Sequence, residues 1–254
     1  MVNNKETYSL SIGVLYADLL CEATDKANVH ALKSRLEGRG ISANVVPIPF
    51  DTNNLAAALK EIDVLYIGYG SEITQNAILQ KLQNEKAALE SYINAYNPVL
   101  AFSGSFILFG VQLSLCGQMQ KGLGILAIDS MTSDHRNLGN VKAEVSFTGK
   151  PTFIYGFENH SCRVNIYKNP PFSKVKNGSG NSTNREDGII YKNLYGTWLT
   201  GAFLPYNPIL TDALLDICLR QKYKKIVPLA PLDDTIEEQA IREIESKFNN
   251  KKGK

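Results

Sequence analysis

The sequence predicts an α/β protein: a three-layer α/β/α stack around a doubly wound, mostly parallel sheet, with an antiparallel β extension. Three observations carry that prediction. Short apolar runs alternate with helix-period stretches from Tyr8 to Cys116, as consecutive strand–helix units require. The run Ile62–Ile67 is apolar on both faces, which suits a strand covered on both sides. From Gly122 onward the texture changes to β-rich segments separated by turn residues, the pattern of antiparallel pairing.

The elements follow in order. Tyr8–Tyr16 is the first strand. Asp25–Gly38 places Ala27, Val29, Leu32 and Leu36 at helical spacing and ends at Gly38 to Gly40. Ile41–Ile48 is the second strand, Asn54–Lys60 a short helix and Ile62–Ile67 the third strand. Thr74–Tyr96 reads as one long amphipathic helix, Val99–Phe102 as the fourth strand and Phe106–Cys116 as the helix after it. Val141–Phe147, Pro151–Phe157 and Cys162–Tyr167 read as antiparallel strands. Asn177–Asp187 is rich in Asn, Gly and Ser and reads as a flexible, solvated loop. Gly188–Tyr191 and Leu194–Leu199 are strands again. Asn207–Lys222 is a helix with Pro208 in its first turn, and Ile236–Phe248 is a last amphipathic helix. One domain is expected over residues 1–248, with a disordered tail at 249–254.

With 254 residues, 44% of them hydrophobic and 20% charged, the chain has the material for a large core. A net charge of +2 argues against nucleic acid as a partner. The lysines near the end (Lys222, Lys224, Lys225, Lys251, Lys252, Lys254) read as a solvated helix end and tail. Leu10–Tyr16, the first apolar run, is too short for a signal core or a membrane span. Cys21, Cys116, Cys162 and Cys218 are scattered without a Cys-X-X-Cys pair and read as reduced thiols of a cytoplasmic protein. His30, His135 and His160 lack ligand spacing with them, so neither a metal nor another cofactor is expected.

The most informative stretch is Asn97–Gly110. A hydrophobic strand runs into Ser103-Gly104-Ser105 and then at once into an apolar segment. Strand, tight turn and helix are the parts of a nucleophile elbow, and Ser103 occupies the nucleophile's place. Ligands of an open parallel sheet collect at the carboxyl ends of its strands. There this turn should meet Gly68-Tyr69-Gly70-Ser71, whose glycines let backbone N–H groups approach a ligand. The Gly-X-Gly-Ser pattern alone serves equally well as a structural turn; beside an elbow it reads as part of an oxyanion pocket.

Several motifs occur together in order and spacing. They are Tyr66–Glu72, the elbow, Lys121–Leu126, Gly156–His160 and Asp187–Leu199. Through them the chain resembles the class I glutamine amidotransferases, over roughly residues 8 to 220. The branch is the cobyric-acid-synthase-like (CobB/CobQ-like) one. Within it the chain is most similar to the GatD-like glutaminase subunits of lipid II isoglutaminyl synthase. The resemblance implies a flavodoxin-like fold and no cofactor. It also implies a partner that uses the ammonia, a Mur-ligase-like (MurT-type) protein or another amidating subunit, in peptidoglycan or corrinoid amidation.

The family's mechanism uses a Cys thiolate to attack the glutamine side-chain amide, a His to move protons and backbone N–H groups to hold the oxyanion. Carried over by position, the nucleophile falls on Ser103 and the base on Thr200. The acid of many relatives falls on Ala202, a Gln common after the elbow falls on Ile107, and the substrate-holding Arg of the GatD-like branch falls on Arg136. Gly68, Gly70, Ser71 and Gly104 take the oxyanion and substrate-binding positions. A serine hydroxyl needs a base, and a threonine hydroxyl is not basic near neutral pH. The expectation is therefore a degenerate enzyme, serving as a partner subunit or binding a glutamine-like ligand. The rival expectation is an active glutaminase in which Ser103 uses His160, or a partner's group, as base. Glu158, Cys162, Tyr195 and Trp198 read as structural, with Glu158 a rival catalytic carboxylate and Cys162 a displaced nucleophile under the second expectation.

Overall fold

A computed structural model describes residues 7–20 and 23–250; Cys21, Lys251, Lys252 and Lys254 lie outside them. Strand β1 (Ser9–Leu15) is followed by a single turn, α1 (Ala17–Leu20), and by α2 (Ala23–Glu37). Then come β2 (Ser42–Ile48), α3 (Leu55–Lys60), β3 (Val64–Ile67), α4 (Glu72–Asn84), α5 (Lys86–Asn94) and β4 (Val99–Ala101). Two later strands join the same sheet, β11 (Ile189–Tyr191) and β12 (Leu194–Gly196). The strand order is β11-β12-β4-β3-β1-β2. Every neighbouring pair is parallel except β11 with β12, which closes one edge as an antiparallel strand.

Alternate residues of the central strands feed two cores, as a period of two requires. Leu65 and Ile67 of β3, with Val99 and Ala101 of β4, meet Leu59 of α3, Leu82 of α4 and Leu89 of α5. Val64, Tyr66, Leu100 and Phe102 face the other way, toward Val29, Leu32 and Leu36 of α2. On that side lie also Leu214, Leu215 and Leu219 of α6 (Pro208–Tyr223). The sheet is thus covered on both faces, as expected.

The β extension is a second sheet. It contains β5 (Gln112–Leu115), β6 (Gln118–Lys121), β7 (Ile128–Val145), β8 (Thr152–Ile166), β9 (Ser173–Asn177) and β10 (Glu186–Asp187). Its spine is the long antiparallel pair β7–β8, whose register breaks between Thr132 and Asn137. The last helix, α7 (Thr235–Asn250), packs on the outer face of that pair. Glu245 accepts from Lys142 at 3.0 Å and from the Tyr155 hydroxyl, and Phe248 lies against the Tyr155 ring.

Four local expectations are corrected. Phe106–Cys116 is not a helix: a 3-10 turn spans Ser105–Phe109, and β5 and β6 then form a hairpin. Phe106, Ile107, Leu108 and Phe109 are all buried, so this segment has no polar face with which to continue as a surface helix. Thr74–Tyr96 is two helices, divided at Glu85, whose N–H turns back to the Leu82 carbonyl. The break swings α5 beside α3, where Leu89 and Tyr92 join Leu55 and Leu59. The Asn-Gly-Ser loop after β9 is closely tied rather than loosely solvated, and Asn181 within it is fully buried. Finally, α7 runs to Asn250, so helix replaces the first two residues of the expected tail; residues 251–254 lie outside the described residues. Among the described residues no helix is long and apolar enough to cross a membrane, and Cys116, Cys162 and Cys218 are free thiols.

Candidate active site

The elbow forms where β4 ends. Ser103 has φ 56° and Gly104 φ 89°, so the chain reverses through two left-handed residues in succession. A serine in that region costs about 1–2 kcal/mol, a cost the surroundings must offset. They do so from three sides. Ser103 donates its N–H to the Leu199 carbonyl (3.2 Å) and Gly104 donates to the Thr197 carbonyl (3.0 Å). The Ser105 hydroxyl, fully buried, reaches the carbonyls of Ile67 and Phe102 at 3.1 and 2.9 Å. The turn is therefore bolted to β3 on one side and to the segment after β12 on the other.

These bonds decide what the turn can do. The Gly104 N–H, the expected oxyanion donor, is spent on Thr197. Ser103 is only 5% exposed, and its hydroxyl has no hydrogen-bond partner among the described residues. Trp198 covers the turn: a Cβ on Gly104 would lie 2.4 Å from Cζ3 of the indole. The same indole stacks on the His160 ring with centroids 4.0 Å apart and meets Phe106 edge-on. Ile107, at the family's Gln position, is buried beneath.

The neighbouring glycine turn is closely packed as well. A Cβ on Gly68 would meet the Leu20 carbonyl at 2.5 Å and the Asp25 carboxylate at 2.8 Å, and one on Gly70 would meet Leu20 and Thr74. The Tyr69 N–H between them donates to Asp25 Oδ2 (2.9 Å). Asp25 also accepts from the Tyr66 hydroxyl, and Asn28 links Tyr66 to the Gly201 carbonyl and the Leu204 N–H. Ser71 caps α4 by accepting from the Thr74 N–H. This polar network, absent from the sequence reading, ties the glycine turn after β3 to α2 and to the segment Gly201–Leu204.

His160 belongs to a second buried cluster. Its Nδ1 lies 3.1 Å from the Cys162 carbonyl and 3.3 Å from the Cys162 amide nitrogen, and its Nε2 lies 3.7 Å from Glu158 Oε2. No hydrogen bond joins it to Ser103 among the described residues. Burial raises the Glu158 carboxyl, but the His160 ring and the N–H groups of Gly180 and Ser179 outweigh it, and the net pKa is below the ordinary glutamate value. The Cys162 thiol is pushed up by burial, which disfavours a thiolate. Asp187, fully buried, accepts from the Thr197 hydroxyl (2.5 Å) and the Trp198 N–H (3.1 Å). Burial pushes its carboxyl up to about 6 against those two donors and His160. The sequence shows Asp187 only as the first residue of the Asp187–Leu199 motif; its burial and its partners are not legible there.

Thr200 faces a different space. Its N–H pairs with the Phe157 carbonyl, and it lines a cleft of about 210 Å³ with Phe157, Ala202, Tyr206 and Ile244 of α7. Phe157 and Asn159 share one face of β8, and Glu158 and His160 the other. Arg136 donates to Asn159 at 2.9 and 2.7 Å and so lies on Thr200's side of the strand. The backbone thus brings Ser103 beside Leu199, next to Thr200. The side chains divide into a sealed group around Ser103, Trp198 and His160, and an accessible group around Thr200 and Arg136.

Two outcomes follow. Gly104→Ala should collide with Trp198 in a backbone region that disfavours alanine, costing about 1–3 kcal/mol. Since Trp198 is the single tryptophan, its emission should shift to the red, which fluorescence and thermal melting will read. Asp187 holds its proton more tightly folded than unfolded, so its contribution to stability grows as pH falls through about 6 and is lost as pH rises through it. Glu158, shifted the opposite way, titrates below that window. Asp187→Asn should therefore flatten the change of melting temperature between about pH 5 and 7 relative to the unaltered chain.

The family model for CobB/CobQ-like glutamine amidotransferase domains matches residues 11–208. Two curated relatives align along almost the full length. The glutamine-hydrolyzing lipid II isoglutaminyl synthase subunit GatD of Staphylococcus aureus is 31% identical over 249 residues, 96% of this chain and 98% of that protein. The same subunit of Streptococcus pneumoniae is 28% identical over 244 residues, 93% of this chain and 90% of that protein. A chain in the structure of PurLQS from Thermotoga maritima matches with a TM-score of 0.53 at 12% identity, covering 85% of this chain and 99% of that one, a likeness of fold. By its motifs, its parallel sheet and elbow and these matches, the chain belongs to the family of CobB/CobQ-like glutamine amidotransferase domains.

Proposed function

We propose that this chain is a glutamine amidotransferase-like subunit that does not itself hydrolyse glutamine and serves an amidating assembly as a structural or ligand-binding partner. The relatives' names point to lipid II amidation as the setting; a Mur-ligase-like protein is the partner that the family resemblance implies. The observation that carries the reading is the Ser103 hydroxyl, buried under Trp198 with no proton acceptor bonded to it. An alcohol in that state is a poor nucleophile, and the amide oxygen would lack the N–H already given to Thr197. Thr200, on the accessible cleft, and Arg136, exposed beside Asn159, are the residues this reading assigns to ligand or partner contact.

One observation favours a second reading, an active glutaminase. The strained elbow at Ser103 is kept, and His160 Nε2 has no hydrogen-bond partner among the described residues. If Trp198 swung aside, that nitrogen would be the base available to Ser103. A single assay separates the two. Glutamate release from glutamine by the purified chain, alone and with its amidating partner, should stay at the buffer rate, because loss of a nucleophile or base in such units costs on the order of 10⁴–10⁶ in rate. Ser103→Cys alone should not restore it. Turnover above background that disappears in Ser103→Ala would establish the second reading instead.

A further inference from the structure

The loop after β9 is built more carefully than its composition requires. Between Gly178 and Arg185 five residues have positive φ, and three of them, Ser182, Asn184 and Arg185, are not glycine. Such conformations cost about 1–3 kcal/mol each and persist only where the surroundings hold them. Here they are held. Glu158 accepts from the N–H groups of Ser179 and Gly180, both at 2.8 Å. Asn181 exchanges two hydrogen bonds with Gly188, and the Thr183 hydroxyl donates to the Val164 carbonyl. Asn137, at the end of the β7 irregularity, donates to the Ser182 hydroxyl at 2.7 Å.

The loop and the irregular part of β7 face each other across a cleft of about 460 Å³, within the roughly 300–1,000 Å³ of ligand sites. Its walls carry Arg163, Arg185 and His135 together with the hydroxyls of Ser133, Ser182 and Thr183. No carboxylate lines it: residues 133, 135 and 137 project inward, while Asp134 and Arg136 alternate to the other side. Neither the Arg163 guanidinium nor the His135 ring has a hydrogen-bond or ion-pair partner among the described residues. Arg185 is aimed by bonds from Nε and Nη2 to the carbonyls of Val175 and Lys176, which fix its side chain at the rim. Arg163 keeps its paired N–H donors for a phosphate oxyanion, Arg185 adds positive charge at the rim, and the hydroxyls lie along the wall without a counter-charge among the lining residues.

We infer that this cleft binds a phosphate- or diphosphate-bearing ligand, between the β7 irregularity and the strained loop. The site is separate from the Ser103 turn and stands whether or not glutamine is cleaved. Its floor touches the buried cluster through Glu158, so occupancy has a direct route to His160 and Trp198.

Isothermal titration of the full chain with inorganic pyrophosphate and with inorganic phosphate, at physiological ionic strength, tests the inference. Binding of either probe is expected, with at least a tenfold loss of affinity in Arg163→Glu. Because Arg163 is exposed and its side chain has no hydrogen-bond or ion-pair partner among the described residues, that variant should melt at the same temperature as the parent. Arg163→Lys, which keeps charge without the fork, should lose less. Absence of binding by both probes, or binding unchanged in Arg163→Glu, would overturn the assignment.

Discussion

The structure turns on the short segment Thr197–Thr200. Thr197 donates its N–H to Ala101 and accepts the N–H of Gly104; Leu199 accepts the N–H of Ser103; Thr200 donates to Phe157 in the second sheet. Three of these four residues thus join the end of β4, the elbow and the long β7–β8 pair. Asp187 anchors the segment from below through the Thr197 hydroxyl and the Trp198 N–H. A carboxyl kept fully buried is costly unless its acceptors are used, and both oxygens of Asp187 are. The same bonds that hold the elbow in its left-handed conformation consume the N–H that an oxyanion would need and press the indole onto Gly104.

The fold keeps its elbow with Ser103 and Thr200 at the positions that the family resemblance gives to nucleophile and base. The left-handed Ser103–Gly104 pair, the glycine turn after β3 and the sheet order are scaffold features, each satisfied by backbone hydrogen bonds or by close packing. The Trp198 indole, stacked on His160 and met edge-on by Phe106, contributes apolar burial and ring contacts to the core beside the elbow.

Much of this was legible in the sequence. The parallel strands announced themselves by runs such as Val64–Ile67 that are buried on both faces, and the elbow by apolar residues running into Ser-Gly-Ser. The resemblance to CobB/CobQ-like domains is borne out by the family match. Other features were illegible for physical reasons. Phe106–Phe109 is apolar all round, so periodicity cannot tell a buried 3-10 turn from a helix. The division at Glu85 has neither Gly nor Pro to mark it; it is imposed by packing of α5 beside α3. The loop from Gly178 to Arg185 looks flexible because Asn, Gly and Ser suit both solvated chain and strained, hydrogen-bonded turns. Only the buried partners, Glu158 and Asn137, distinguish the two, and they lie far away in sequence. Asp25, Asn28 and Asp187 escaped notice because a buried polar residue declares itself only through its partners.

The proposed reading rests on the elbow hydroxyl of Ser103, buried and without a hydrogen-bond partner among the described residues. The most direct measurement is peptide mass spectrometry after exposing the purified chain, with and without its amidating partner, to an electrophilic glutamine analogue. The account predicts that Ser103 remains unmodified under both conditions. A stoichiometric adduct on Ser103, prevented by an excess of glutamine, would contradict it.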